Sequence, residues 1–197
     1  MGIRIKRAAV LGAGVMGQGI AAHLANAGIP SYLFDIAPGE LTEAEVAAGL
    51  SLEDRKVRNR ISDAGIAAMK KSKPALLYRP DLASMVTPCN YEDDLDKLGD
   101  CDWIVEVVVE RMDIKQRVFA MVDEHRRPGS VVSSNTSGLS AEAMAEGRSD
   151  DFRSHFMVTH FFNPVRYMRL LEMVPISATN PGGFADMADF GENVLGK

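Results

Sequence analysis

A histidine and a glutamate in two apolar segments have the residue types of a general base and its partner. His160 lies in the segment THFFNP and Glu172 in LLEM. A carboxylate inside an apolar strand needs a partner, and two adjacent strands could bring it to the imidazole. We expect Glu172 to be buried, and a buried carboxylate fixes the imidazole tautomer and raises its basicity, which suits proton abstraction from an alcohol. The alternative is a core histidine with no catalytic role.

Polar residues also follow two apolar segments upstream. Asn135 and Ser137 lie in SSNTSGLS directly after a predicted strand, where a doubly wound sheet binds its ligand. Their side chains could bind a hydroxyl or a carbonyl, although a capped loop would use the same residues. Glu110 ends the valine-rich segment WIVEVVVE, and Lys115 lies five residues later. They form a polar pair at the same edge or a surface salt bridge of little energetic weight.

The segment GAGVMG contains three glycines at the spacing of a dinucleotide-binding turn. It follows the strand-like residues 7–11 and opens a predicted helix over 18–27. Gly12 permits the tight turn, Gly14 allows a pyrophosphate to approach the backbone, and Gly17 lets the helix pack closely on the strand. The free N–H groups of the helix N-terminus then meet the phosphates.

Asp35 indicates which dinucleotide this turn binds. It ends a second predicted strand, 18 residues after Gly17. A carboxylate there accepts both ribose hydroxyls of the adenosine and repels a 2′-phosphate, so the sequence predicts NAD rather than NADP. FAD and a tight turn without a ligand are the alternatives.

The surrounding elements alternate between strands and helices, which predicts an α/β fold. We expect a Rossmann-type, doubly wound and mostly parallel sheet over residues 1–197, with strands near 7–11, 31–34, 85–90, 103–109, 130–134, 155–162 and 167–173. A helical insertion is predicted at about 41–73, and its second half is rich in lysine and arginine. Further helices are predicted over 113–125 and 184–195.

The composition is that of an ordinary soluble globular protein. Apolar residues make up 46% of the chain, charged residues make up 25%, and the net charge is −5. The negative charge argues against nucleic acid as a partner, and no apolar stretch is long enough to span a membrane. Cys89 and Cys101 form neither a CxxC pair nor a metal-ligand cluster, so no metal site is predicted. We expect a cytoplasmic location.

Four segments together resemble the L-3-hydroxyacyl-CoA dehydrogenases of fatty-acid β-oxidation. They are VLGAGVMGQGIAAHLANAG, IVEVVVERMDIKQRVF, SSNTSGLS and THFFNPVRYMRLLE. The chain looks most like the N-terminal NAD-binding domain of the long bacterial forms, which also carry an enoyl-CoA hydratase region. The resemblance implies oxidation of (3S)-3-hydroxyacyl-CoA to 3-ketoacyl-CoA with NAD. A relative that oxidises another hydroxy acid and a non-catalytic NAD-binding module are the alternatives.

The resemblance also implies roles for individual residues. His160 would take the proton of the substrate 3-hydroxyl, and Glu172 would hold the imidazole and compensate its charge. Ser137 and Asn163 would bind the substrate oxygen or the histidine. The residues expected to bind the cofactor are Gly12, Gly14, Val15, Met16, Gly17, Asp35, Glu110, Lys115 and Asn135.

Family members continue into an all-helical domain that closes the acyl-CoA cleft and makes most of the dimer contact. That domain is absent from these 197 residues, so the resemblance implies an N-terminal domain of a homodimeric protein. The basic helical segment, residues 55–73, occupies the place of a family arm that touches coenzyme A. Its cations could meet the phosphates of CoA or form a solvated face. Arg166 stands where short family members usually have proline, which puts the substrate preference in doubt.

Overall fold

The computed structural model describes residues 4–197, which form a seven-stranded sheet in the order β3-β2-β1-β4-β5-β6-β7. Strands β1 to β6 run parallel, and β7 pairs antiparallel with β6. The strands are β1 Ala8–Leu11, β2 Ser31–Asp35, β3 Val86–Asn90, β4 Trp103–Glu106, β5 Val131–Ser134, β6 Phe156–Phe161 and β7 Leu171–Pro175. The predicted doubly wound, mostly parallel sheet is confirmed.

Eight α-helices in the described residues connect these strands and cover the sheet. They are α1 Val15–Asn26, α2 Glu43–Ala47, α3 Arg55–Arg58, α4 Arg60–Lys71, α5 Met112–His125, α6 Ala141–Met144, α7 Asp150–Ser154 and α8 Pro181–Asn193. Two 3₁₀ helices cover Pro80–Met85 and Leu95–Asp100. Between Arg4 and Lys197, no helix combines the length and the apolar character needed to cross a bilayer.

Strand β1 lies at the centre of the sheet and is buried on both faces. Ala8 and Val10 pack into an apolar core beneath α1, α4 and α8, whereas Ala9 and Leu11 pack into a second core beneath α5 and α7. A strand covered on both faces needs a continuous apolar run, and AAVL supplies one. The carboxyl end of β1 therefore lies between the two helical layers, where the glycine turn begins.

The predicted helical insertion at residues 41–73 consists of three helices, α2 to α4. Helix α4 packs on α1 and the sheet, with Ile66 and Met69 in the core. A Cβ atom at Gly65 would lie 3.1 Å from the Cβ of Ala13, so glycine permits this close approach. Helix α4 is therefore part of the cover of the sheet. Three arginines of the segment pair with carboxylates of the same chain, namely Arg55 with Asp94, Arg58 with Asp93 and Arg60 with Glu45.

The last strand and the last helix begin at residues that differ from those predicted from the sequence. Strand β7 begins at Leu171 rather than at Tyr167, because the N–H groups of Tyr167 and Met168 both donate to the Pro164 carbonyl in a turn. Helix α8 begins three residues before Phe184, because the side chain of Asn180 accepts hydrogen bonds from the first helical N–H groups.

Candidate active site

Two cavities meet at the carboxyl edge of the parallel strands. The first, the Asp35 cavity, has a volume of about 640 Å³, and its lining includes Gly12, Asp35, Ile36, Tyr91, Ile114 and Met121. The second, the His160 cavity, has a volume of about 490 Å³, and its lining includes Glu110, Lys115, Asn135, Ser137, His160 and Asn163. Gly14 and residues 107–109 line both cavities, so the two form one groove across the glycine turn.

The glycine turn has the shape that a pyrophosphate requires. Gly12 has a φ of +121°, and a Cβ there would lie 2.7 Å from the Val107 carbonyl oxygen. A Cβ at Gly17 would lie 1.8 Å from the carbonyl oxygen of Gly12, which only glycine avoids. Apart from its two chain neighbours, no described residue has an atom within 4 Å of the Cβ position of Gly14, so the backbone is open there. No side chain between Arg4 and Lys197 caps α1, and its first N–H groups are available to an anion.

Val15 and Met16 complete this turn and begin α1. Both line the His160 cavity, and the side chain of Val15 is exposed. The groove therefore runs past the helix N-terminus from one cavity to the other. An extended dinucleotide fits such a groove, with a half on each side of Gly14.

Asp35 is held at the other side of the turn by two backbone hydrogen bonds. Its Oδ2 accepts from Ala13 N at 2.7 Å, and its Oδ1 accepts from Ile36 N at 2.8 Å. A carboxylate offers about four acceptor positions, so each oxygen can still accept from a ligand hydroxyl. The residues present therefore fit the adenosine half of NAD.

His160 and Glu172 are directly opposite each other on β6 and β7. The Nδ1 of His160 lies 2.9 Å from Oε2 of Glu172, within the range that the sequence-based hypothesis requires. Among residues 4–197, Nε2 has no hydrogen-bond partner, so it is the nitrogen left to accept a proton. The expectation of a buried Glu172 is wrong. Its side chain is 54% exposed, because β7 is the edge strand and Glu172 faces away from the core.

The polar residues after β5 are brought to the same cavity. Ser137 and Asn163 are exposed and line it together with His160. Asn135 also lines it, but its Oδ1 accepts from Phe161 N at 2.8 Å and so ties the loop to β6. Its amide nitrogen is left to donate a hydrogen bond to a ligand.

Lys115 is almost fully buried, at 1% exposure, so the alternative of a surface salt bridge is wrong. Its Nζ lies 2.7 and 3.0 Å from the two carboxylate oxygens of Glu106 and 3.2 Å from Glu110. Ser134 Oγ donates to Glu106 at 2.5 Å. Burial raises the pKa of Glu106 although Lys115 opposes this. Burial also acts to raise the pKa of Glu110, but hydrogen bonding from Thr136 and the charge of Lys115 hold it below its usual value.

Sequence reasoning missed Glu106. The available signal was an acidic residue inside the buried strand WIVE, with a lysine nine residues further on. A buried charge requires a partner of opposite sign, and Lys115 supplies it. This pair fixes the first turn of α5 against the end of β4, beside the His160 cavity.

A family model described as the NAD-binding domain of 3-hydroxyacyl-CoA dehydrogenase matches residues 7–197. The chain belongs to this family. The resemblance seen in the glycine turn and the histidine segment is thereby confirmed.

Two relatives show how far the similarity extends in sequence. A probable 3-hydroxyacyl-CoA dehydrogenase of Bacillus subtilis (strain 168) is 56% identical over 193 residues, which are 98% of this chain and 24% of that protein. One of Deinococcus radiodurans is 42% identical over 195 residues, which are 99% of this chain and 52% of that protein. The chain thus spans about a quarter and about half of these two dehydrogenases.

A solved structure extends the similarity to the fold. The crystal structure of 3-hydroxybutyryl-CoA dehydrogenase from Escherichia coli K12 is similar with a TM-score of 0.75 and 26% sequence identity. The match covers 99% of this chain and 37% of that one.

Proposed function

We propose that this chain is the NAD-binding part of an enzyme that oxidises (3S)-3-hydroxyacyl-CoA to 3-ketoacyl-CoA in fatty-acid β-oxidation. The observation that carries the proposal is the His160–Glu172 pair, in a cavity that continues into the glycine turn. A module that only bound NAD would not need a base at this position. The relatives, which are probable 3-hydroxyacyl-CoA dehydrogenases, support the substrate class.

In this proposal His160 Nε2 takes the proton of the substrate 3-hydroxyl. Glu172 keeps Nδ1 protonated beforehand and stabilises the imidazolium that forms. Ser137 and Asn163 hydrogen-bond the substrate oxygen. When bound, NAD supplies the acceptor for the hydride that leaves C3.

The cofactor half of the site follows from the same geometry. The glycine turn and the N-terminus of α1 bind the pyrophosphate, and Asp35 binds the adenosine ribose. Glu110 and Lys115, with Asn135, lie at the nicotinamide end of the groove. For the whole protein, we still predict a homodimeric, cytoplasmic enzyme with an acyl-CoA substrate.

The experiment compares the whole native protein with its His160→Ala and Glu172→Gln variants in NADH formation from 3-hydroxybutyryl-CoA. Loss of a general base lowers kcat by about 10²- to 10⁴-fold, and we expect His160→Ala to fall in this range with NAD affinity nearly unchanged. Glu172→Gln should also lower kcat, because a neutral glutamine does not stabilise the imidazolium.

A matched control is His155→Ala. His155 also lies beside a carboxylate, that of Asp151 at 3.6 Å, but it precedes β6 at the opposite edge of the sheet. We expect this variant to keep native turnover. Equal kcat values for native protein and His160→Ala would rule out His160 as the base. Faster oxidation of a free hydroxy acid than of its CoA ester would instead favour a relative with another substrate.

A further inference from the structure

Thr136 lies between two residues of the His160 cavity, but its own side chain points away from that cavity. Asn135 and Ser137 line the cavity, whereas Thr136 is 4% exposed and does not line it. The hydroxyl of Thr136 donates to Oε1 of Glu110, a residue that does line the cavity. Thr136 therefore joins the loop after β5 to the segment after β4.

Five polar residues at the carboxyl ends of β4 and β5 form a closed ring of contacts. The N–H of Thr136 donates to Ser134 Oγ at 3.3 Å, and this hydroxyl donates to Glu106 at 2.5 Å. Lys115 Nζ lies 2.7 and 3.0 Å from the Glu106 oxygens and 3.2 Å from Glu110. The bond from the Thr136 hydroxyl to Glu110 closes the ring. The ring thus connects two strand ends and the first turn of α5.

The Thr136–Glu110 bond is the link of this ring that can be removed without leaving a buried charge unpaired. Glu106 and Lys115 are 0% and 1% exposed, so loss of either would destabilise the whole fold. Burial acts to raise the pKa of Glu110, but the Thr136 hydrogen bond and the charge of Lys115 hold it below its usual value. Glu110 is therefore ionised at neutral pH, and a hydrogen bond to an ionised acceptor is about twice as strong as a neutral one.

The Thr136 hydroxyl holds the loop on both sides of Ser137. Its oxygen accepts from the N–H of Leu139 at 3.2 Å while its proton is donated to Glu110. Asn135 adds a further anchor, because its Oδ1 accepts from the N–H of Phe161 on β6. Ser137 itself is exposed in the His160 cavity. These anchors therefore set the place of the Ser137 hydroxyl in that cavity.

We propose that Thr136 is a positioning residue, whose hydroxyl fixes Ser137 and Glu110 relative to His160. The inference rests on the proposed function, because Ser137 and His160 must act on the same substrate oxygen. Thr136 is buried behind the cavity and acts only through its neighbours. Loss of its hydroxyl should therefore disturb the His160 cavity and leave the Asp35 cavity intact.

The test compares Thr136→Val and Thr136→Ser with the whole native protein in NADH formation from 3-hydroxybutyryl-CoA. Valine keeps the size of threonine without the hydroxyl, and we expect kcat to fall by about tenfold, as for loss of one hydrogen bond to a charged group. The KM for the ester should change less than kcat, because misplaced groups cost most in the transition state. Serine keeps the hydroxyl, so Thr136→Ser should stay within about twofold of native kcat.

Calorimetric titration with ADP-ribose gives a readout that does not depend on turnover. In the proposed function this ligand binds the glycine turn and the Asp35 cavity, and it lacks the nicotinamide. Thr136→Val should therefore bind ADP-ribose with native affinity. Thr136→Ala also lacks the hydroxyl and should reproduce both results, so the test does not depend on the folding of one variant.

The matched control is Thr179→Val. Thr179 is also buried, and its hydroxyl likewise donates once, to the Phe156 carbonyl at 2.6 Å, and accepts once, from Ile176 N at 2.8 Å. Phe156 begins β6, so these bonds lie at the opposite edge of the sheet from His160. The control should lower the unfolding temperature, as Thr136→Val does, but keep native kcat.

Four results would overturn the role of Thr136. Native kcat in the valine and alanine variants would show that the hydroxyl positions nothing. An equal loss in Thr136→Ser would assign the effect to the methyl group, and a similar loss in Thr179→Val would assign it to general destabilisation. Weaker ADP-ribose binding by Thr136→Val would mean a disturbance that reaches the glycine turn. If the whole native protein forms no NADH from the ester, the proposed function fails instead, so the two failures are distinguishable.

Discussion

At the scale of single residues, we predict that the choice between NAD and NADP depends on the carboxylate of Asp35. Its two backbone hydrogen bonds fix it beside the glycine turn, and the negative charge opposes a 2′-phosphate. We expect NAD to bind at least about tenfold tighter than NADP, which corresponds to about 1.4 kcal/mol. Asp35→Ala should reduce this difference between the NAD and NADP affinities, mainly because NAD loses the ribose contacts.

Titration calorimetry with both cofactors measures the ratio directly. Asp100→Ala is a suitable control, because Asp100 is exposed and precedes β4 at the opposite edge of the sheet. This variant should keep the native preference for NAD over NADP. Equal affinities of the native chain for NAD and NADP would contradict the role assigned to Asp35.

At the scale of secondary-structure elements, the central strands were predictable because their signal is local. A continuous apolar run such as AAVL in β1 identifies a strand that is buried on both faces. The start of β7 was not predictable. Arg166 of the preceding turn donates to the carbonyls of Ala75 and Leu77, about ninety residues away in sequence, and no local pattern contains these contacts.

The candidate site shows the same division between local and distant information. The pairing of His160 with Glu172 could be predicted, because each lies in a short apolar segment and the two segments are close in sequence. The exposure of Glu172 could not, since it depends on β7 being the edge strand. Glu106 was missed because Lys115 and Ser134 reach it from two different elements.

A buried histidine connects the first helix to the residues that follow the last one. His23 of α1 has its Nε2 2.9 Å from the carbonyl oxygen of Leu195. Burial, with the positive charge of Lys197 as a smaller cause, lowers the pKa of His23 from 6.5 to about 4. Above pH 6.5 the imidazole is neutral whether the chain is folded or unfolded, so its full contribution to stability is present there.

Between pH 6.5 and 4 the unfolded chain binds a proton at this histidine and the folded chain does not. The free energy of unfolding should therefore decline over this window, by on the order of 3 kcal/mol from His23 alone. Urea unfolding at pH 7.0 and about 4.5 measures the decline. His23→Gln should lose this part of the pH dependence, whereas His125→Gln should retain it. Identical pH dependence in the native protein and His23→Gln would refute the assignment.

At the scale of the whole molecule, the two halves of the groove differ in how completely they are enclosed. The glycine turn and the Asp35 cavity are enclosed by β1, β2, β4 and α5. The proposed catalytic pair, His160 and Glu172, lies instead at the edge of the sheet, beside a surface on which Tyr167, Met168, Leu170 and Val174 are exposed. Exposed apolar side chains close together in an interface region favour association, and these four are candidates for such a surface.

This asymmetry predicts different outcomes for binding and for turnover. The 197-residue chain should bind NAD, because every residue assigned to the pyrophosphate and the adenosine is already in place. The side chain of His160, the proposed base, is 18% exposed, and a substrate held by a single wall loses most of the positioning that accelerates reaction. We therefore expect it to oxidise 3-hydroxybutyryl-CoA at least about a hundredfold more slowly than the Deinococcus radiodurans relative, of which it spans 52%.

Steady-state NADH formation at matched enzyme and NAD concentrations measures this difference. Calorimetric NAD affinities of the two proteins serve as the control, and they should agree to within about fivefold, or about 1 kcal/mol. A chain with weak NAD binding as well as slow turnover would point to a defect in the Asp35 cavity. Turnover equal to that of the relative would mean that β6 and β7 hold the substrate without a second wall. The exposed apolar side chains beside these strands would then have another role.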